Sequence, residues 1–403
     1  MKYDFSTILD RSEHDALAVD APLNYLGEFG NVKRQDGFDV IPMWVADMNF
    51  AVVPSVTEAI KERLNYPTFG YYIPSNEYYD AIINWQTSRN SIKSLTKENI
   101  GYENGVLGGL VSSLNALASY GDAILLHSPT YIGFTMSIEN AGYRIIHSPL
   151  TKDDENVWRM DYEDMEKKII DNNIKVAVLC NPFNPCGRVF TKDELEKAIN
   201  IFEKHNVYII SDEIWSDLTL YGNKHIPTQS VNEYARNHTV ALYAPSKTFN
   251  LAGLIGAYHI IYDEWLSKRI KSTSSKSHYN SMNVLSMHAL IGAYNTEGEA
   301  WLKELKEVLE DNIDYAYAFI QNNFKGVSLF KPEGTYMLFI NCKEYCDRNN
   351  LKIEDLLHRA WQYGVYLQNG RPFNDAYSLR LNIALPKEKV IEAFDRLKDY
   401  VFI

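Results

Sequence analysis

The chain of 403 residues lacks the features that mark secreted, membrane-spanning or nucleic-acid-binding proteins. No stretch approaches the roughly 20 consecutive apolar residues that a transmembrane helix needs. The formal net charge is -12 and no long basic run is present, which disfavours association with nucleic acid or an anionic membrane. The first 20 residues contain acidic residues throughout and no apolar segment, unlike a signal peptide. We therefore expect a cytoplasmic protein with neither a nucleic-acid nor a membrane partner.

Cysteines and nucleotide-binding motifs are also scarce. The four cysteines are Cys180, Cys186, Cys342 and Cys346, and neither pair has the spacing of a zinc knuckle. We expect structural or incidental thiols and no metal site. The predicted strands are not followed by G-x-G-x-x-G, and no Walker P-loop occurs, which argues against a nucleotide-dependent dehydrogenase. The chain is instead rich in apolar residues, with 46% hydrophobic and 13% aromatic residues, so it can bury a large core.

Short apolar runs alternate with helical patterns between about residues 105 and 263. Each run ends in turn residues, as buried strands do. The runs lie at 122–129, 143–149, 174–182, 207–213, 239–245 and 256–263. Between two of them, Thr191 and Glu194 have the spacing of a capping box ahead of a helix with one apolar face. The alternation predicts an α/β fold with a mostly parallel sheet flanked by helices.

The pattern changes after about residue 288. A long amphipathic helix is predicted at 299–323, followed by two strand-helix units that indicate a smaller α/β C-terminal domain. We expect a large domain at 45–287 and a small domain formed by 288–403 with 1–44. The first forty-odd residues hold no long periodic element, so we expect them to lie across the second domain or a partner subunit.

Four chemically distinct side chains follow the predicted strands at their carboxyl ends. They are an aromatic ring, an amide, a carboxylate and an amine, from Tyr131, Asn184, Asp212 and Lys247. In open parallel sheets ligands bind at these ends, so the four are expected to converge on one rim. Each residue alone has an ordinary alternative, as a turn, cap, packing or solvated surface residue.

This set meets the chemical needs of pyridoxal 5'-phosphate. An amine can bind the cofactor aldehyde as a Schiff base, and a carboxylate can keep the pyridine nitrogen protonated. An amide can donate to the phenolic oxygen, and an aromatic ring can stack on the cofactor. A turn of small residues also opens a helix at Gly105, Val106 and Leu107, whose backbone N–H groups could hold the phosphate.

The segments "NPFNPCG", "SDEIW" and "SKTFNLAG", in this order and at these separations, resemble the fold-type-I pyridoxal-phosphate enzymes of the aspartate aminotransferase superfamily. The segments "PMWVADMNF", "FGYY", "GDAILLHSPTYIGF", "APSKTFNLAGL" and "LRLNIALP" look like the MalY/PatB-type carbon-sulfur lyases, often described as cystathionine β-lyases. The resemblance runs from Pro42 to Pro386. It implies an aspartate aminotransferase-like large domain.

The resemblance assigns a role to each residue of the rim. Lys247 would be the Schiff-base lysine and proton shuttle, and Asp212 would pair with the pyridine nitrogen. Asn184 would contact the phenolic oxygen, and Tyr131 would stack on the ring.

The resemblance also assigns roles to two residues outside this rim, Tyr71 and Arg380. Tyr71 resembles the tyrosine that reaches the cofactor phosphate of the neighbouring subunit, which implies a homodimer with shared active sites. Arg380, in "SLRLNIAL", matches the arginine that binds the α-carboxylate of a small amino-acid substrate.

The sequence also departs from the pattern of the superfamily. Trp215 stands where many relatives have tyrosine or histidine near the phenolic oxygen, and its indole donates but does not accept a hydrogen bond. Cys186 stands where the usual "NPTG" has threonine. No arginine follows the lysine closely, so phosphate binding would depend on Ser246, Tyr71 and the backbone. That last departure fits the lyase branch.

Two reactions remain open on the same residues. We favour β-elimination from L-cystathionine or a related cysteine S-conjugate, giving pyruvate, ammonia and a thiol. Transamination between an L-amino acid and a 2-oxo acid uses the same lysine, carboxylate and arginine, so these residues do not separate the two. A non-catalytic regulator built on the same fold is a third reading, against which the intact site residues argue.

Overall fold

A computed structural model describes residues 1–90, 92–277 and 281–403 of the protein. Over these residues no helix combines the length and the apolar character that crossing a bilayer requires.

The strands of the described residues, numbered in chain order, belong to four sheets, and two of these sheets contain only two strands. They are β1 (Ile41–Pro42), β2 (Ile100–Glu103), β3 (Ala123–Ser128), β4 (Arg144–Pro149), β5 (Thr151–Lys152), β6 (Trp158–Arg159), β7 (Val176–Cys180), β8 (Tyr208–Asp212), β9 (Thr239–Tyr243), β10 (Ala257–Ile260), β11 (Ser328–Leu329), β12 (Met337–Asn341), β13 (Val365–Tyr366), β14 (Gln368–Asn369) and β15 (Ser378–Asn382).

The α-helices follow the same convention. They are α1 (Leu17–Leu23), α2 (Pro54–Leu64), α3 (Asn76–Asn90), α4 (Val106–Leu117), α5 (Ile132–Asn140), α6 (Tyr162–Asp171), α7 (Lys192–His205), α8 (Glu233–His238), α9 (Glu264–Ser277), α10 (Val284–Ala293), α11 (Thr296–Asn323), α12 (Lys343–Asn349), α13 (Ile353–Gln362) and α14 (Lys387–Tyr400).

The chain divides into two compact units. The larger comprises Val52–Asn184 and Arg188–Leu302, and the smaller comprises Met1–Ala51, Pro185–Gly187 and Lys303–Ile403. One division falls within α11. The domain boundaries expected from the sequence, after residues 44 and 287, stay a prediction.

The larger unit is built on a seven-stranded sheet in the order β2-β10-β9-β8-β7-β3-β4. Neighbouring strands from β9 to β4 run parallel. Every residue of β3, β7 and β9 is buried, as expected for strands covered by helices on both faces. The prediction of an α/β fold with a mostly parallel sheet is therefore confirmed.

The sheet differs from the sequence expectation at its two edges. β10 runs antiparallel to β9 and to β2, because residues 244–256 between β9 and β10, all described, hold a turn and a short 3-10 helix rather than a crossover α-helix. β4 is an edge strand. Its first four residues are all half-buried or exposed, so it is not buried on both faces. β2 was not expected from the sequence.

Helix α7 begins as its sequence predicts. The Thr191 hydroxyl accepts from the Glu194 backbone N–H at 3.3 Å, and the Glu194 carboxylate accepts from the Thr191 N–H at 2.8 Å. The apolar face of the helix, which includes Leu195, Ile199 and Phe202, is fully buried. The capping box and the apolar spacing together fix where this helix starts and which face it buries.

The smaller unit contains a four-stranded antiparallel sheet in the order β11-β12-β15-β14. The amino-terminal segment packs within this unit. Phe29, 1% exposed, makes edge contacts with Trp44, Trp361 and Tyr366 at centroid distances of 4.9, 4.8 and 5.1 Å. Strand β1 pairs in parallel with β13. These contacts tie the first 51 residues to the carboxyl-terminal part of the chain.

We expect Thr191→Ala to lower the free energy of unfolding by about 1 kcal/mol, because it removes the hydroxyl that caps α7. Thr191→Ser keeps the hydroxyl and is the matched control. Urea unfolding followed by circular dichroism measures both variants. Equal stability of the alanine and serine variants would contradict the importance of the cap.

Candidate active site

The carboxyl ends of β3, β7, β8 and β9 lie side by side in the sheet. Cys180 pairs with Asp212 across β7 and β8, and Asp212 pairs with Leu242 across β8 and β9. The register continues past the strands, since the Asn181 N–H donates to the Asp212 carbonyl at 3.1 Å. The structure therefore places the segments that carry Tyr131, Asn184, Asp212 and Lys247 at one end of four adjacent strands.

Asp212 is the buried carboxyl group at this end of the sheet. Its exposure is 5%, and Oδ1 accepts from the Ile214 N–H at 3.0 Å. Burial raises the pKa of Asp212 to about 7, against the opposing effects of that hydrogen bond and of the Lys247 ammonium. A carboxyl group in this setting is mostly neutral below about pH 7, and a further cation beside it would favour the ionised form.

A second carboxylate, Glu213, braces the end of β8 from within the core. Glu213 is fully buried and accepts four hydrogen bonds, from the Ser211 hydroxyl, the Thr228 N–H, His225 Nε2 and the Tyr243 hydroxyl. Burial, followed by the charge of Glu213, raises the pKa of Tyr243 well above its usual value, so Tyr243 stays a donor. These bonds link the residue after β8 to β9 and to residues 225–228, and they occupy the lone pairs of the Glu213 carboxylate.

Lys247 lies in a tight turn directly after β9. The Phe249 N–H donates to the Pro245 carbonyl at 2.9 Å, and the Leu251 N–H donates to the Ser246 carbonyl at 3.1 Å. Lys247 is half-buried, and its Nζ lies 5.7 Å from the centroid of the Trp215 ring. Trp215 is 2% exposed. The Lys247 amine therefore lies near the Trp215 ring, and its charge acts on Asp212 three residues before that tryptophan.

The helix that follows β2 opens without a side-chain cap. Gly105 precedes α4 with φ +76°, a conformation that favours glycine, and α4 begins at Val106. Helix N-termini present backbone N–H groups and attract anions. The predicted start of the helix at Gly105, Val106 and Leu107 is confirmed, and the phosphate-binding role of these residues stays a prediction.

Tyr131 lies next to the first turn of α4. A Cβ atom on Gly133 would lie 2.4 Å from Tyr131 Cε1 and 2.9 Å from Leu107 Cδ1, so the absence of a side chain at Gly133 makes room for both. The Tyr131 ring also meets Phe134 edge-on at 5.4 Å. The aromatic ring predicted to stack on a ligand is therefore adjacent to the candidate anion site.

The other residues expected in the site range from buried to fully exposed. Asn184 is 4% exposed at the end of the larger unit's β7 segment, and Ser246 is half-buried beside Lys247. Cys186 is buried, and none of the four cysteines, all of which the structure describes, is in a disulfide. Tyr71 has a fully exposed side chain, with an exposure of 110%.

Arg380 lies in the smaller unit and is buried there. It occupies β15 between β12 and β14, where it pairs with Phe339 and Gln368. Its Nη2 donates to the Trp44 carbonyl at 3.1 Å and to Gln368 Oε1 at 2.5 Å, and the guanidinium lies 4.6 Å from the Phe373 ring centroid. Arg380 is therefore a fixed, oriented cation rather than a mobile surface residue.

These residues fit pyridoxal phosphate by their donor set. A buried acid whose pKa is raised to about 7 is suited to face a cationic ring nitrogen, which would favour its ionised form. The uncapped N-terminus of α4 is suited to a phosphate, and Lys247 is the amine at the same end of the sheet.

Comparison with known proteins identifies the family. The model of the class I and II aminotransferases matches residues 39–397. The chain belongs to this family. The resemblance inferred from the sequence is confirmed, as is the aspartate aminotransferase-like fold.

Within the family, the chain is similar to carbon-sulfur lyases. It is 33% identical to cystathionine β-lyase PatB of Bacillus subtilis, over 89% of this chain and 92% of that protein. The pyridoxal-phosphate-bound carbon-sulfur lyase from Staphylococcus hominis has a TM-score of 0.88 at 29% identity, covering 99% and 98% of the two chains. A pyridoxal-phosphate-bound protein from Clostridium difficile 630, provisionally assigned as an aminotransferase, has a TM-score of 0.90 at 35% identity and covers 99% of each chain.

Sequence reasoning missed the residues that support this family site. Glu213 was visible next to Asp212, but its partners His225 and Tyr243 lie 12 and 30 residues away. Asp217 is another buried carboxylate of the same segment that local sequence patterns do not single out. The acidic residues at 212, 213 and 217 in one strand-end segment were the available signal.

We expect the contribution of Asp212 to the stability of the cofactor-free protein to decrease as the pH rises from about 4 to about 7, because Asp212 keeps its proton in the folded state up to about pH 7 and loses it near pH 4 when unfolded. At this one group the folded state binds more protons in this window, so its contribution to folding falls as the pH rises. Asp212→Asn removes this contribution, and its stability should exceed that of the unaltered protein at pH 8 but match it near pH 4. Urea midpoints at several pH values measure the difference, and a constant difference across the window would contradict the assignment.

Proposed function

We propose that the protein is a pyridoxal-phosphate-dependent carbon-sulfur β-lyase that acts on L-cystathionine or a related cysteine S-conjugate and yields pyruvate, ammonia and a thiol. The observation that carries the proposal is the buried Asp212 beside the Lys247 turn, in a chain 33% identical to cystathionine β-lyase PatB. These two groups are the amine and the acid that the cofactor chemistry requires.

The cofactor would supply an electron sink for the carbanion that forms when the substrate α-proton leaves. Asp212 would hold the ring nitrogen in its protonated form, because a buried carboxylate and a facing cation stabilise each other. The first-turn N–H groups of α4 and the Ser246 hydroxyl would bind the phosphate. Tyr131 would cover one ring face, and Asn184 would donate to the phenolic oxygen.

Lys247 would bind the cofactor and then move the substrate proton. Its turn follows β9 closely and is held by two backbone hydrogen bonds, so the Lys247 backbone is held in place at the end of the sheet. A primary amine released from the cofactor can accept the α-proton when it is neutral. The Trp215 ring would bound the space in which the amine moves.

Arg380 would hold the substrate carboxylate. Its guanidinium is oriented by the Trp44 carbonyl, Gln368 and Phe373 before any substrate arrives. Such pre-organisation lowers the entropic cost of forming a two-point contact with a carboxylate.

Transamination is the second candidate, favoured by the likeness to the Clostridium difficile protein. Lysine, carboxylate and arginine serve both reactions, and the two differ in where the proton returns and whether the β-substituent leaves. The similarity to PatB and to the Staphylococcus hominis lyase supports elimination.

We also propose a cytoplasmic homodimer in which Tyr71 completes the phosphate site of the partner. The support is the run of exposed apolar side chains around it, with Tyr66, Phe69 and Ile73 exposed by 72, 59 and 89%. Contiguous exposed apolar surface of this kind is typical of an interface.

We expect purified, cofactor-loaded protein to release pyruvate, ammonia and thiol from L-cystathionine in equal amounts. Coupled lactate dehydrogenase and thiol assays measure the products, and a parallel incubation with an amino donor and a 2-oxo acid tests transfer. Lys247→Ala is the control and should lose both the visible colour of the bound cofactor and all turnover while remaining folded. Amino transfer without ammonia would instead establish the aminotransferase.

We expect Tyr71→Ala and Lys247→Ala to complement each other if active sites are shared between subunits. After unfolding, mixing in equal amounts and refolding, about half of the dimers are mixed and each has one intact site, giving about a quarter of the unaltered activity. Each variant refolded alone is the control. Activity of the mixture no higher than the mean of the two variants would argue against sharing.

A further inference from the structure

Asp217 is a buried carboxylate that the proposed chemistry does not use. Its side chain is 5% exposed, and it accepts hydrogen bonds from three side chains of the larger unit. Trp85 Nε1 donates to its two oxygens at 3.1 and 3.2 Å, and Arg89 Nε donates to Oδ1 at 2.7 Å. Thr248 Oγ1 donates to Oδ2 at 3.0 Å. A buried carboxylate with this many partners holds each of them in a defined direction.

Thr248 connects this carboxylate to the site. It directly follows Lys247 and is fully buried, so its hydroxyl has little choice of partner. The next residue, Phe249, packs against Trp85 at 5.7 Å between ring centroids. Trp85 therefore supports the turn twice, through Asp217 and through the Phe249 ring.

Helix α3 supplies the rigid side of this arrangement. The Trp85 ring stacks on Tyr294 with centroids 4.6 Å apart and an angle of 5°. The Arg89 guanidinium lies 4.9 Å from the Trp85 ring centroid, so the ion pair and the aromatic stack form one packed cluster. The cluster leaves Asp217 no alternative position that keeps its hydrogen bonds.

Asp217 also belongs to the segment that carries Asp212. Within this segment the Ser216 N–H donates to the Glu213 carbonyl at 3.0 Å, and the Leu218 N–H donates to the Trp215 carbonyl at 2.9 Å. The segment after β8 and the turn after β9 are thus linked by the Asp217–Thr248 hydrogen bond as well as by the sheet.

We propose that Asp217, acting through Thr248, is a positioning residue that fixes the Lys247 turn relative to Asp212. The inference rests on the proposed function of Lys247 and Asp212. A small displacement of a catalytic amine reduces the rate strongly while leaving substrate binding nearly unchanged, because only the transition state needs the full alignment.

The test compares two threonine-to-valine changes on the same stretch of chain. Thr248→Val removes the hydroxyl that donates to Asp217, and Thr248→Ser keeps it. Thr239→Val is the matched control, since Thr239 is fully buried at the start of β9 and its hydroxyl has no hydrogen-bond partner among the described residues. Each variant is loaded with pyridoxal phosphate, and five quantities are measured: the pH midpoint of the visible absorbance, the fraction of Lys247 labelled after borohydride reduction, kcat for L-cystathionine, KM for L-cystathionine, and the thermal midpoint.

We expect Thr248→Val to move the absorbance midpoint by about half a pH unit or more, because the environment of the lysine changes. We expect kcat to fall about 10-fold with KM changed less than about twofold. Thr248→Ser and Thr239→Val should keep the absorbance midpoint and kcat of the unaltered protein.

A lowered thermal midpoint of Thr248→Val with an unchanged absorbance midpoint and kcat would show a merely structural role and overturn the inference. If Thr248→Val does not fold, Asp217→Asn decides in the same way, since it keeps the volume but weakens the bonds to Thr248 and Arg89. Absence of any borohydride-fixed label on Lys247 in the unaltered protein would overturn the proposed function, and this inference with it.

Discussion

The parallel register of β7, β8 and β9 is the constraint on which the rest of the site depends. It aligns the ends of three buried strands, so residues that are far apart in the chain emerge at the same edge of the sheet. The strands are held by apolar burial on both faces, and the polar chemistry begins only where they end. Glu213 secures this edge from below, with four donors from β8, β9 and the segment between them.

Three buried carboxyl groups that are close together in the sequence differ in their hydrogen-bond and ion-pair partners. Asp212 receives one backbone hydrogen bond, and burial raises its pKa to about 7. Glu213 is saturated by neutral and imidazole donors, and Asp217 is paired with Arg89. Only Asp212 has capacity left for a ligand, which is why the same residue type can bind at one position and brace at the other two.

The strands and the site residues after them were predictable because they depend on local patterns. Apolar runs closed by turn residues located β3, β7, β8 and β9, and the residues after them led to Tyr131, Asn184, Asp212 and Lys247. The direction of β10 was not predictable from its own residues, since it follows from what the connection before it contains. The support from Trp85 and Arg89 was not predictable either, because these residues lie 132 and 128 positions from Asp217 and meet it only through the packing of α3.

The raised pKa of Asp212 limits the negative charge that is buried in the core of the larger unit. Below about pH 7 the acid is mostly protonated, so the folded chain carries less uncompensated negative charge in its interior. The proton that it keeps is then available to a basic ring nitrogen that arrives beside it. Because Asp212 can be either an acid or its conjugate base near pH 7, it would match the charge of such a nitrogen without adding an unpaired charge to the interior.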